Sequence, residues 1–115
     1  MPFLFEKLHV YKKLLMFIEC ILTYLKHNKI EPELKDQLKR ACLSIPTNIA
    51  EGSGRFTKRD KKNFYVISRG SIYECVALIQ IIKKVHNVSK SDYDGFLNQL
   101  EELSKMINGL IISLQ

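Results

Sequence analysis

Apolar residues recur along the chain in alternating three- and four-residue steps, the spacing that stacks side chains on one face of an α-helix. Leu8, Tyr11, Leu15, Ile18, Leu22 and Leu25 form the first such stripe, with Lys12, Lys13, Glu19 and Lys26 mostly off it. Asn28 and Lys29 end this segment, and Pro32 stops it from running on. A second stripe of Leu34, Leu38, Ala41, Ile45 and Ile49 opens near Glu33, where acidic side chains suit the positive end of a helix. Pro46 falls inside it, removing a backbone donor and crowding the carbonyl of Cys42, yet Ile45 and Ile49 keep the phase. The pattern predicts a single helix, kinked near Pro46 and stopped by Gly52.

The third segment is the longest. Thr57 is placed to cap its start, with Asp60 three residues on in the manner of a capping box. Phe64, Ile67, Ser71, Cys75, Leu78, Ile82 and Val85 run in step, and a second stripe of Ile72, Val76 and Ile79 widens the apolar face. A helix apolar on more than one side packs on more than one side, so this second stripe is expected to form an oligomer interface. Ser91 is expected to cap a fourth helix, in which Tyr93, Phe96, Leu97, Leu100, Leu103, Ile107, Leu110, Ile111 and Leu114 repeat. Amphipathic helices joined by short loops, without a strand signature, predict an all-α, antiparallel up-down four-helix bundle. One domain is expected to span residues 1–115.

Composition agrees with a globular domain, since 46% of the 115 residues are hydrophobic and 26% charged. Cys20, Cys42 and Cys75 lie far apart in apolar segments with no zinc-type spacing, so buried free thiols in a reducing cytoplasm are expected. The opening "MPFLFEKLHVYKK" breaks its apolar residues with charges and lacks a signal-peptide core. No segment reaches the roughly 18 uninterrupted apolar residues of a membrane span. A cytoplasmic protein without a membrane partner is expected.

Candidate chemistry changes this picture little. Ser44 and Ser71 lack a GxSxG elbow, and neither GxGxxG nor GxxxxGK occurs. Glu6 and His9 make the one Glu-x-x-His, whereas di-iron bundles need two such pairs and two further glutamates. No catalytic set, metal or cofactor is therefore expected. Glu51 and Glu74 border apolar stripes, where a carboxylate needs hydrogen bonds or a cation. A structural polar network of Arg40, Asn48, Glu51, Ser71 and Glu74 at one end of the bundle is the expectation.

Charge adds the sharpest local feature. The formal net charge is +6, and Arg55, Lys58, Arg59, Lys61, Lys62 and Arg69 crowd one stretch in which Asp60 is the only acid. Such a run attracts polyanions through a salt-sensitive field. Phe64 and Tyr65 lie near enough in sequence to stack on bases; equally, Phe64 belongs to the core and the lysines solvate a helix start.

Two motifs carry a resemblance. "QLKRACLSIPTNIAEGSGR" and "FYVISRGSIYEC" hold SIPxNIAEGxGR at Ser44–Arg55 and GSxxE at Gly70–Glu74. The chain thereby resembles, over nearly its full length, the four-helix-bundle family named for 23S rRNA intervening sequences. The same fold includes the accessory variability protein of diversity-generating retroelements. The resemblance implies a second helix bent at Ser44–Pro46, a turn meeting the GSxxE helix, and a homo-oligomer, typically a five-membered ring with a basic surface. Arg69 departs from it, standing where relatives often carry alanine. The expected function is non-enzymatic binding of RNA or DNA phosphates by Arg55, Lys58, Arg59, Lys61, Lys62 and Arg69, with little sequence readout. The alternative is a scaffold that docks a partner protein such as a retroelement reverse transcriptase.

Overall fold

The computed structural model describes residues 3–115. A 3-10 turn at Leu4–Lys7 leads into α1 (His9–His27), α2 (Pro32–Ser53), α3 (Lys58–Val85) and α4 (Lys90–Ser113), and no strand occurs among the described residues. Each helix packs on its sequence neighbours and α4 closes onto α1, in a body of 44 × 28 × 24 Å. The largest contact is that of α2 with α3. These two run antiparallel, for Cys42 meets Cys75, Ile45 meets Ser68, and Gly52 meets Tyr65.

Local chemistry explains the boundaries. Pro32 occupies the first turn of α2, where its missing N–H has no helical partner to lose. Thr57 Oγ1 accepts from the Asp60 N–H at 3.1 Å, capping α3 as expected. At α4 the cap is Ser89, whose Oγ accepts from the Asp92 N–H at 3.0 Å, and not Ser91. The sequence carries two overlapping Ser-x-x-Asp frames here, and periodicity does not choose between them.

The structure shows α2 as one helix running unbroken through Pro46. The carbonyls beside the proline take side-chain donors: Thr47 Oγ1 to Leu43 O at 2.8 Å, Asn48 Nδ2 to Ser44 O at 2.7 Å, and Ser68 Oγ to Ile45 O at 2.8 Å. Side chains thus reinforce the turn from which proline removes a bond. At its far end α2 leaves four carbonyls without helical partners, and all four are satisfied. Ala50 O accepts from Ser53 Oγ, Glu51 O from the Gly54 N–H, Gly52 O from the Arg55 N–H, and Ser53 O from Lys61 Nζ. Gly54 is therefore the terminating residue, and Gly52 lies inside the helix.

The core departs from the expected stripes in two places. On α1 the buried line is Val10, Leu14, Phe17, Ile21 and Leu25, while Leu15 is exposed and Tyr11, Ile18 and Leu22 are half-buried. This helix is built of apolar doublets (Leu14–Leu15, Phe17–Ile18, Ile21–Leu22), so two adjacent stripes fit its periodicity equally. On α3, Ile67 and Val85 are exposed, whereas Ile72 and Ile79, expected at an oligomer interface, are core residues 1% and 3% exposed. Two neighbours inside the subunit use both of its apolar sides; of the second stripe only Val76 reaches the surface. The same packing accounts for a helix long and apolar enough to cross a membrane, since nearly half of that stretch is buried in the bundle.

Of the thiols, Cys42 and Cys75 are buried with their sulfurs 3.5 Å apart, but Cys20 is exposed, against expectation. The bond to Cys42, followed by burial, pushes the Cys75 thiol up, so it stays protonated and unreactive.

Gly52 supports the closest approach of α2 to α3. A Cβ there would lie 2.8 Å from Phe64 Cβ and 2.9 Å from Tyr65 Cε1, neither of which is the free end of a flexible chain. Gly52→Ala is expected to lower stability by about 1–3 kcal/mol through overpacking. Alanine's helix propensity, better by about 1 kcal/mol, offsets part of that and leaves a net loss of up to about 2 kcal/mol. A urea midpoint at or above the parent's would contradict this account.

Candidate nucleic-acid interface

A directed chain of hydrogen bonds joins the two motifs. Ser71 Oγ donates to Ile67 O at 3.2 Å, which commits its only hydrogen, so at the 2.8 Å contact Ser44 Oγ donates to Ser71 Oγ. Asn48 Nδ2 donates in turn to Ser44 Oγ at 3.0 Å. Beside this chain Ser68, fully buried, reaches Ile45 O. Of the expected polar network, the structure brings Asn48 and Ser71 together and adds Ser44 and Ser68. Arg40 and Glu74 are exposed and make none of these bonds; Glu51 is exposed and pairs with Arg55 at 2.7 Å. Small hydroxyls fit between close helices where a carboxylate and its water do not, so the charged members stay outside.

The α2–α3 corner sorts the six cations of the basic run into two groups. Arg55 is held twice, by Glu51 and by stacking 4.6 Å over the Phe64 ring. Lys61, half-buried, gives its ammonium to the carbonyl end of α2 at 2.9 Å, where the helix dipole also favours a cation. Arg69, half-buried on α3, bonds Asn108 Oδ1 of α4 at 3.0 Å. Lys58, Arg59 and Lys62 have neither an ion pair nor a side-chain hydrogen bond among the described residues, and their spacing places them on one side of the first turns of α3.

The aromatic residues are arranged differently from expectation. Tyr65 is buried and Phe64 lies half-buried under Arg55, so neither presents a face to a ligand. Phe56, which periodicity passes over because it belongs to no stripe, is fully exposed in the corner between Arg55 and Lys58. An aromatic placed in a turn, off both flanking stripes and beside cations, was the available signal.

Elsewhere the surface offers less. A cavity of about 490 Å³ near the α1–α2 connection carries Lys26, Lys29 and Lys35, but Lys35 bonds Asn28 O and Glu31 pairs with His86. That bond to His86 lowers the Glu31 carboxyl below its usual range. Glu6 and His9 are exposed, and no group of three or more potential metal ligands assembles among the described residues. Between α3 and α4 an open apolar groove of about 450 Å³ is lined by Tyr73, Val76, Leu97 and Leu100, with Glu101 and Lys105 at its side.

The model of the 23S rRNA-intervening sequence proteins matches residues 6–109. The chain belongs to this family. Its two motifs are thus the α2 and α3 segments joined by the Ser44–Ser71 bond. No curated protein matches the chain. A solved structure from Bacteroides thetaiotaomicron, a protein of unknown function from the S23 ribosomal protein family, superposes with a TM-score of 0.80 at 20% identity, covering 89% of this chain and 97% of that one. At that identity the likeness is one of fold.

Ser44→Ala and Ser71→Ala are each expected to lower stability by about 1 kcal/mol. Because the hydroxyls act in series, the double variant should lose less than the sum, by about 0.5 kcal/mol or more. Strict additivity in a denaturation cycle would show that the chain of bonds does not act as a unit.

Proposed function

We propose that this protein is a non-enzymatic, self-associating bundle that binds nucleic acid through its phosphates, with little sequence readout. The observation carrying this reading is the set of Lys58, Arg59 and Lys62, cations without an internal partner among the described residues, on one side of a braced corner. A net charge of +6 adds long-range attraction, and the family's description refers to 23S rRNA. Arg55 is a secondary contact, able to exchange Glu51 for a phosphate. Lys61 and Arg69 brace the corner and contribute field rather than contacts.

Self-association is supported by apolar surface that the subunit leaves open. Val66, Gly70, Tyr73, Ala77 and Ile81 share the outer side of α3, and Tyr73 continues this line into the α3–α4 groove. A five-membered ring would present the free cations five times over, and weak phosphate contacts then act together through effective concentration. The setting is cytoplasmic, in keeping with three free thiols.

Neutralising Lys58, Arg59 and Lys62 together to glutamine is expected to weaken RNA and duplex DNA binding. It should also flatten the dependence of log affinity on log salt, by about 0.7–0.9 in slope for each phosphate no longer neutralised. Salt-insensitive binding by the parent, or none at low salt, would defeat the reading. Separately, Tyr73→Glu is expected to shift the particle toward monomer in light scattering with its helical circular dichroism retained. A parent already monomeric in dilute buffer would remove the ring.

A further inference from the structure

We propose that Phe56 is a stacking platform for an unpaired base, so that the basic corner prefers single-stranded or looped nucleic acid over smooth duplex. This rests on the nucleic-acid reading above and narrows its ligand.

Phe56 is the most exposed large hydrophobic residue among those described, and Lys58 and Arg59 follow it within three residues. Its backbone is not free to fold the ring away. On one side, Gly54 and Arg55 are tied by their N–H groups to the last carbonyls of α2. On the other, Thr57 is the cap of α3, and Lys61 bridges from α3 back to Ser53 O. The ring therefore stands out from a corner braced at both ends, beside cations with no internal partner among the described residues.

That pairing of features fits one kind of polyanion. Phosphates running along Lys58, Arg59 and Lys62 bring the bases of the same strand within reach of the ring. Away from its two ends, a duplex keeps its bases stacked on one another and offers an aromatic ring only their edges. A single strand, a loop or a bulge offers a free base face, and base–aromatic stacking is tolerant of sequence because every base has one. The other aromatics of this region do not compete, since Tyr65 is buried and Phe64 is covered by Arg55. Both RNA and DNA strands present this chemistry.

The test uses the 115-residue chain and fluorescently labelled probes of equal length: an oligouridylate RNA, its DNA counterpart and an RNA duplex. The parent is expected to bind the strands more tightly than the duplex, with the tighter strand naming the natural source. Phe56→Ala is expected to weaken strand binding about 5- to 150-fold, the range for a single base–aromatic stack, and to leave duplex binding unchanged. Phe56→Trp is expected to restore strand binding. It also places an indole in a chain that has no tryptophan, and this reporter should be quenched by the strands and not by the duplex. Equal binding of strand and duplex, an equal loss on both with Phe56→Ala, or an unquenched indole would overturn the inference while leaving phosphate binding intact. Absence of salt-dependent binding to all three probes would overturn the functional reading itself, and the inference with it.

Discussion

The close approach of α2 to α3 is the constraint on which the rest of the molecule depends. Along this contact small residues recur on both sides: Cys42, Ser44 and Gly52 on one helix, Ser68, Ser71 and Cys75 on the other. Small side chains let the backbones come near enough for hydroxyls to reach carbonyls across the interface, which longer side chains would prevent. The polar atoms that this brings inside are matched to partners, and no buried side-chain nitrogen or oxygen among the described residues lacks one. Bulky apolar residues then fill the other contacts, where Phe17, Leu14, Ile21, Leu100 and Ile107 occupy the space toward α1 and α4.

That approach also determines what happens at the corner. Two antiparallel helices this close need a short connection, and four residues between Ser53 and Lys58 supply it. In so short a turn the carbonyl end of α2 lies beside the first turn of α3, so a lysine of α3 is drawn in to satisfy the last carbonyl of α2. Lys61 sits on the same line as Tyr65, Ser68 and Ile72, in steps of four, three and four. It is in effect the last core-facing position of α3, at a level where the core has given way to helix ends, and its long stem reaches the carbonyl that a shorter residue would miss.

Much of the fold was legible in the sequence, and the exceptions are instructive. The buried lines of α2 and α4 follow their expected stripes, with Cys42 and Pro46 buried beside that of α2. In α1 the doublets admit two phases, and only the presence of neighbours on a particular side decides that Leu14 goes in and Leu15 out. In α3 the phase was obscured by Ser68, a polar residue at the centre of the buried face. Hydrophobic patterning reads serine as surface, whereas here its hydroxyl is satisfied by Ile45 O and its small volume is what the contact requires. The polar network was legible in the same partial way. Of the expected members, Asn48 and Ser71 fit the close contact, whereas Glu51, Glu74 and Arg40 stay at the surface because it leaves them no room.

Formal charge and available charge are consequently different quantities in this protein. A run of cations read from sequence counts every ammonium and guanidinium alike, yet helix geometry divides them. Those that fall toward the bundle or beside a carboxylate are engaged by Ser53 O, Glu51 and Asn108, where they brace the structure. Of the others, Lys58 and Arg59 are exposed and Lys62 is half-buried, and none of the three has an internal partner among the described residues. The braces hold the backbone from which the other cations project, and in the proposed binding a held backbone would lose less loop entropy than a floppy one. A basic stretch of the same composition on a flexible tail would carry the same net charge with no such arrangement.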